Sequence, residues 1–170
     1  NGTLTLATPG AVNSLGSNKA LVIDTTGPTV SSVSSTTPAG YYNAGDVISI
    51  QVTFDEVVTV TGTPTLILET GATDAVVNYT SGTGTSTLTF DYTITVGENS
   101  ADLDYANIGS LAFAGGTITD AVLNSATLTL PVPAAAGSLG ANEAIVVDTI
   151  DPAGLMDGSI IPASDTGFAN

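Results

Sequence analysis

Val47-Ile48-Ser49-Ile50-Gln51-Val52-Thr53-Phe54 sets apolar side chains at 48, 50, 52 and 54 against polar ones at 49, 51 and 53. A period of two is the pattern of a strand that buries one face and wets the other. Leu88, Phe90, Tyr92, Ile94 and Val96 alternate in the same way with Thr89, Asp91, Thr93 and Thr95. Working outward, shorter strand candidates fall at 29–34, 57–60, 65–69, 75–80, 111–114, 117–119, 127–130 and 143–148. Turn formers separate them, among them Pro38-Ala39-Gly40, Gly62-Thr63-Pro64 and Gly115-Gly116. The polar strand positions are mostly Thr and Ser, which suit a pleated surface. No segment holds a 3.6-residue period, so little or no helix is expected. Short strands at this spacing predict an all-β fold, a mostly antiparallel β-sandwich over residues 25–148. Its expected core is Val33, Ile48, Ile50, Val52, Phe54, Leu66, Leu68, Leu88, Phe90, Tyr92, Ile94, Leu128 and Leu130.

The chain also repeats itself. Residues 3–28 return 124 positions later as 127–152, without a gap and with 15 of 26 positions identical. Thr3-Leu4-Thr5-Leu6 returns as Thr127-Leu128-Thr129-Leu130, and Ser14-Leu15-Gly16 as Ser138-Leu139-Gly140. Asp24-Thr25 and Pro28 return as Asp148-Thr149 and Pro152. A fixed internal period is the mark of an array. Residues 1–24 then read as the last strands of a preceding repeat, 25–148 as a complete one, and 149–170 as a linker and the start of the next. Leu4, Leu6, Val22 and the facing Leu21 or Ile23 lack the partner sheet that their copies have. They are expected to pair outside the middle unit, with an adjacent repeat or with a neighbouring copy by strand donation.

Composition narrows the function. One Lys, no Arg and no His stand against 16 acidic residues, a net charge of -15. Nucleic acid and anionic membrane are both bound through basic residues, so neither is an expected partner. No apolar run approaches the roughly 18 residues of a membrane span. Apolar residues make up 42% and charged ones 10%, so the chain can bury a core and is no disordered acidic tail. The absence of Cys does not assign a compartment.

Several motifs together carry a family resemblance. They are Asp24-Thr25-Thr26-Gly27-Pro28, Tyr42-Asn43-Ala44-Gly45-Asp46-Val47-Ile48 and Val52-Thr53-Phe54-Asp55-Glu56-Val57-Val58. To these add Gly62-Thr63-Pro64-Thr65-Leu66-Ile67-Leu68-Glu69 and Ala101-Asp102-Leu103-Asp104-Tyr105. Residues 24–152 resemble the immunoglobulin-like or cadherin-like tandem repeats of giant bacterial surface proteins and type I-secreted adhesins. Where that family tends to read Asp-Ala-Ala-Gly-Asn, this chain has Asp120-Ala121-Val122-Leu123-Asn124, without the glycine. The tail from Ser159, with Pro162-Ala163-Ser164-Asp165-Thr166-Gly167, resembles the opening of a shorter bacterial immunoglobulin-like repeat.

The resemblance implies Ca²⁺, which takes 6–8 oxygen ligands. Strand parity gathers the loop carboxylates at the two ends of the unit. Asp24, Asp55, Glu56, Asp120 and Asn124 are expected at one end, and Asp46, Glu69, Asp102, Asp104, Asp148 and Asp151 at the other. Asp74 and Glu98 fall with the second group. Such clusters repel unless cations neutralise them. The plainer reading is that turn carboxylates are solvated and keep a secreted protein soluble.

Catalysis has little to work with, and no enzyme activity is expected. Without His, Cys or Arg, bases and nucleophiles reduce to carboxylates and hydroxyls. Asp165-Thr166-Gly167 resembles an aspartic-protease triplet, but that chemistry needs two such loops. Asp102 and Asp104 stand only about 7 Å apart on an extended segment and have no aromatic sugar cleft. Lys19 corresponds to Glu143 in the second copy, which argues against a structural isopeptide bond. The expected role is an extender repeat of an extracellular surface fibre, adhesin or surface layer, with Ca²⁺ at the junctions. The alternative is a glycan- or protein-binding module, which solvent-facing Tyr41 and Tyr42 around a cleft would favour.

Overall fold

Alternation becomes strand throughout the middle of the chain, and the computed structural model describes residues 1–2 and 4–150. In order the elements are α1 (Leu15–Asn18), β1 (Val30–Ser35), β2 (Gly40–Tyr42), β3 (Val47–Thr61), β4 (Thr65–Leu68) and β5 (Ala75–Ser81). There follow β6 (Thr85–Thr93), β7 (Asn99–Ser100), β8 (Leu111–Ala112), β9 (Thr117–Thr119), α2 (Leu139–Asn142) and β10 (Ile145–Asp148). The fold is all-β. One sheet runs β1-β3-β6-β5-β4-β8 with β9 added to β3, and a three-stranded sheet runs β2-β10-β7. Pairing is antiparallel except between β2 and β10, which are parallel.

The β3–β6 ladder shows how the sequence period becomes packing. Ile48 faces Tyr92, Ile50 faces Phe90 and Val52 faces Leu88, and all six are buried. Each such side chain contributes about 1.5–3 kcal/mol by leaving water. Tyr79 adds an edge-on contact to Phe90, with ring centroids 6.1 Å apart. The opposite face is polar and cross-linked: Ser49 Oγ donates to Asp91 at 2.8 Å, and Gln51 Nε2 donates to Thr89 at 3.1 Å. These cross-strand pairs account for Asp91, the one carboxylate inside a long alternating run. One continuous core includes residues of both sheets, Ile145 and Val147 of β10 among them. Of the expected core, all but Leu128 are buried, and Leu128 is partly so.

Several expectations need correction. Residues 47–54 and 57–60 are one 15-residue strand, because Asp55 and Glu56 form a bulge and not a turn. Residues 127–130 are no strand, only an isolated bridge from Thr127 to Thr29. Leu130 donates instead to Ile108 O, and Pro131, which follows, has no N–H to extend a ladder. β6 ends at Thr93, three residues short of Val96, which is exposed. β2 and β7 are additional strands, and α1 and α2 are single helical turns at equivalent places in the two copies. Tyr41 and Tyr42 lie on β2; Tyr41 is exposed, while the Tyr42 hydroxyl donates to Pro38 O at 2.7 Å. No helix among the described residues is long and apolar enough to cross a membrane. Asp151, the tail from Ser159 and Asp165-Thr166-Gly167 lie outside the described residues.

Candidate functional site

The bulge in β3 aims a carboxylate. The register with β6 passes from Thr53–Thr87 to Val58–Thr85, so the residues between lie off the ladder. A bulge bends the strand and re-directs its side chains. Glu56 thereby meets Asp120, just past β9, and Asp24, just before the strands begin. One carboxylate oxygen from each lies within 4.8 Å of the other two. Among the described residues no other three carboxylates come together in this way.

Each member is held differently. Asp24 Oδ1 accepts from the N–H and hydroxyl of Thr26 at 3.1 and 2.9 Å. Asp120 is almost fully buried at 2% exposure. Its Oδ1 accepts the N–H groups of Val122 and Asn124 at 2.9 and 2.8 Å, and its Oδ2 accepts from Asn124 Nδ2 at 2.7 Å. Burial pushes the Asp120 carboxyl up, but hydrogen bonds from Asn124, Val122 and Leu123 outweigh it and hold the pKa below the usual value. Glu56 accepts no hydrogen bond among the described residues. Desolvation, and then the charges of Asp120, Asp24 and Asp55, raise its pKa. So one corner of the cluster is fixed as an anion while another resists becoming one.

Asn124 and Asp55 belong to the same end and are held by hydrogen bonds of their own. Asn124 Nδ2 donates to the carbonyls of Asp24 and Thr26 at 3.2 and 3.1 Å as well as to Asp120. It ties the segment before β1 to the turn after β9 through its amide N–H groups. Both Asp55 oxygens turn to Thr29, whose N–H and hydroxyl donate at 2.8 and 2.6 Å, and these bonds lower its pKa. Two backbone features support the approach. Gly27 passes so near Ser125 that an added Cβ would lie 2.0 Å from its carbonyl oxygen. Leu123 sits at φ 70°, the left-handed conformation that glycine adopts freely. The turn forms with leucine at the position where the resembled family has glycine.

At the other end, among the described residues, no three carboxylates gather, and most accept hydrogen bonds from nearby backbone or hydroxyl groups. Asp46 accepts from Asn43 N at 2.9 Å, and Glu69 from Gly71 N at 3.2 Å. Glu98 accepts from the Tyr92 hydroxyl at 2.8 Å and Thr95 N at 2.7 Å, and burial followed by that bond raises the Tyr92 pKa. Asp104 accepts from Tyr105 N and Ala134 N, both at 2.9 Å. Asp102 and Asp104 both approach Gly140 on α2, where a Cβ would lie 3.2 and 3.1 Å from their oxygens. Asp148 accepts from Ile150 N at 3.0 Å, repeating the turn that its copy Asp24 makes with Thr26.

Two oxygens bound to one Ca²⁺ at 2.3–2.6 Å lie at most about 5 Å apart, so the Asp24–Glu56–Asp120 spacing suits that ion. Three carboxylates alone leave the shell of 6–8 to be completed by carbonyls and water. No family model, curated protein or solved structure matches the chain.

Proposed function

We propose that the chain is a structural extender of an extracellular bacterial surface fibre. On this reading residues 25–148 form one immunoglobulin-like or cadherin-like sandwich in a tandem array, and Ca²⁺ bound by Asp24, Glu56 and Asp120 stiffens the junction. The observation that carries the proposal is the position of Asp24. It belongs to the duplicated segment, yet its carboxylate meets Glu56 and Asp120 of the following body. An ion held there joins the end of one unit to the next, so its binding free energy opposes bending. Asp148 makes the same local turn at the end of the second copy, poised to serve a following unit.

The binding-module alternative draws less support. Tyr41 is exposed, but Tyr42 is half-buried and tied to Pro38, so the pair forms no aromatic platform. The test is thermal melting in 10 mM Ca²⁺ and in chelator. A dissociation constant of about 0.1–1 mM, usual for extracellular modules, gives a rise of roughly 5–10 °C. An Asp24→Asn, Glu56→Gln, Asp120→Asn variant should lose that rise. Equal melting with and without Ca²⁺ would remove the ion from the account.

A further inference from the structure

The two copies of the duplicated segment share a loop and a capped helical turn and differ in what covers them. Only the second goes on into a strand, β10. In each a serine caps one helical turn: Ser14 Oγ accepts from Ser17 N and Ser138 Oγ from Ala141 N, both at 3.3 Å. The turn closes through Lys19 N to Leu15 O at 3.0 Å and Glu143 N to Leu139 O at 2.9 Å. The loop before it also matches, with Ser14 N to Ala11 O and Ser138 N to Ala135 O at 2.9 Å. In the second copy Leu130, Leu139, Ile145 and Val147 are at most 3% exposed. Their counterparts Leu6, Leu15, Leu21 and Ile23 are 66–93% exposed.

The second copy shows what covers this face. β10 lies between β2 and β7, with Val146 opposite Tyr41 and Val147 opposite both Tyr42 and Ser100. Val33 N donates to Gly137 O at 2.8 Å, and Asn142 Nδ2 returns to Val33 O at 2.7 Å. Leu103 N donates to Ile145 O, and Leu130 N to Ile108 O. The covering groove is therefore built by residues 33–42 and 99–108. The first copy retains what that groove selects. Leu130, Leu139 and Asn142 correspond to the identical Leu6, Leu15 and Asn18, and Ile145 and Val147 to the aliphatic Leu21 and Ile23. Other positions differ: exposed Ala136 and Ala141 are Val12 and Ser17 in the first copy, and Gly137, whose carbonyl accepts from Val33, is Asn13, which takes a similar left-handed φ of 69° against 91°.

We infer that residues 4–23 are a docking segment for a second body of this same type, seated in a groove equivalent to that between 33–42 and 99–108. The body on the same chain cannot take it, because residues 128–147 already fill that groove. The inference rests on the repeat-array part of the proposed function and is independent of Ca²⁺. Transfer of four aliphatic side chains out of water, with a full set of backbone bonds, drives the docking.

The test joins a second copy of residues 25–124 directly ahead of Asn1 in the full chain and follows amide hydrogen exchange in chelator. In the 170-residue chain, amides of 4–23 should exchange freely. In the extended chain they should slow by about 100-fold or more, toward the behaviour of 128–147. Leu15→Asp with Ile23→Asp should abolish that protection and leave 25–148 unchanged. A second measurement uses the absence of native cysteine: Val22→Cys with Tyr41→Cys in the added body should form a disulfide, since Val146 and Tyr41 are register partners. Unchanged exchange together with no cross-link would overturn the inference. So would protection already present in the 170-residue chain, whether it grows with concentration, meaning a second chain, or does not, meaning its own body. Because both measurements are made without Ca²⁺, loss of the metal site would leave their outcome standing.

Discussion

Leu15 and Leu139 are the same residue in the same capped helical turn, and substituting each by alanine isolates what packing alone contributes. Leu139 is 0% exposed and part of the continuous core, whereas Leu15 is 69% exposed. Removing a fully buried leucine loses its transfer free energy and leaves a cavity, about 3 kcal/mol within a usual range of 2–5. Removing an exposed one changes stability by no more than about 0.5 kcal/mol. The local helix terms cancel, because the cap, the closing bonds and the substitution are alike. Urea unfolding followed by circular dichroism reads the difference. With a slope near 1.5 kcal/mol/M, Leu139→Ala should lower the midpoint by about 2 M, and Leu15→Ala by less than about 0.4 M. Equal shifts would refute the assignment of 128–147, and not 4–23, to the folded body.

Leu123→Gly should stabilise the chain by about 0.5–1 kcal/mol, because the left-handed φ of 70° strains leucine and this exposed side chain loses little burial; a lowered melting temperature would contradict it. Glu56→Gln should raise stability in chelator at pH 7 and reduce the gain from Ca²⁺. A pKa raised in the folded state means that the charged form opposes folding above it. Asp55 and Asp120 have the opposite sign. Their folded pKa values lie below the usual 3.8, so their stabilisation is present above pH 4 and is lost as pH falls through the folded values. Asp55→Asn should therefore flatten the acid limb of a stability-against-pH curve, and an unchanged limb would exclude the Thr29 bonds as its source.

The strands of the ladder were legible because Ile48 to Phe54 and Leu88 to Ile94 keep their period through whole elements. Asp55-Glu56 read as a turn because a bulge and a turn both interrupt alternation, and only the register with β6 tells them apart. Thr127 to Leu130 alternate like a strand, but their backbone partners are scattered over Pro28 and Ile108. β2 and β7 are too short to carry a pattern. The helical turns gave one available signal, Ser-Leu-Gly with a serine cap, and no periodicity. Strand parity grouped Asp24, Glu56 and Asp120, since it depends only on which way each strand runs. It says nothing of the bonds from Asp55 to Thr29 and from Asn124 to Thr26, which join residues distant in sequence and set the aim of each side chain. The close passage of Asp102 and Asp104 by Gly140 left no mark in the sequence beyond a glycine.

The central claim is that metal at the Asp24 junction converts a row of such bodies into a stiff rod. Small-angle scattering of three tandem copies of residues 25–148, preceded by 1–24, tests it most directly. With Ca²⁺ the maximum dimension should approach that of three bodies end to end. In chelator it should shorten as the junctions bend, and Asp120→Asn in each copy should mimic the chelator. A scattering profile unchanged by Ca²⁺, chelator and Asp120→Asn would contradict the claim.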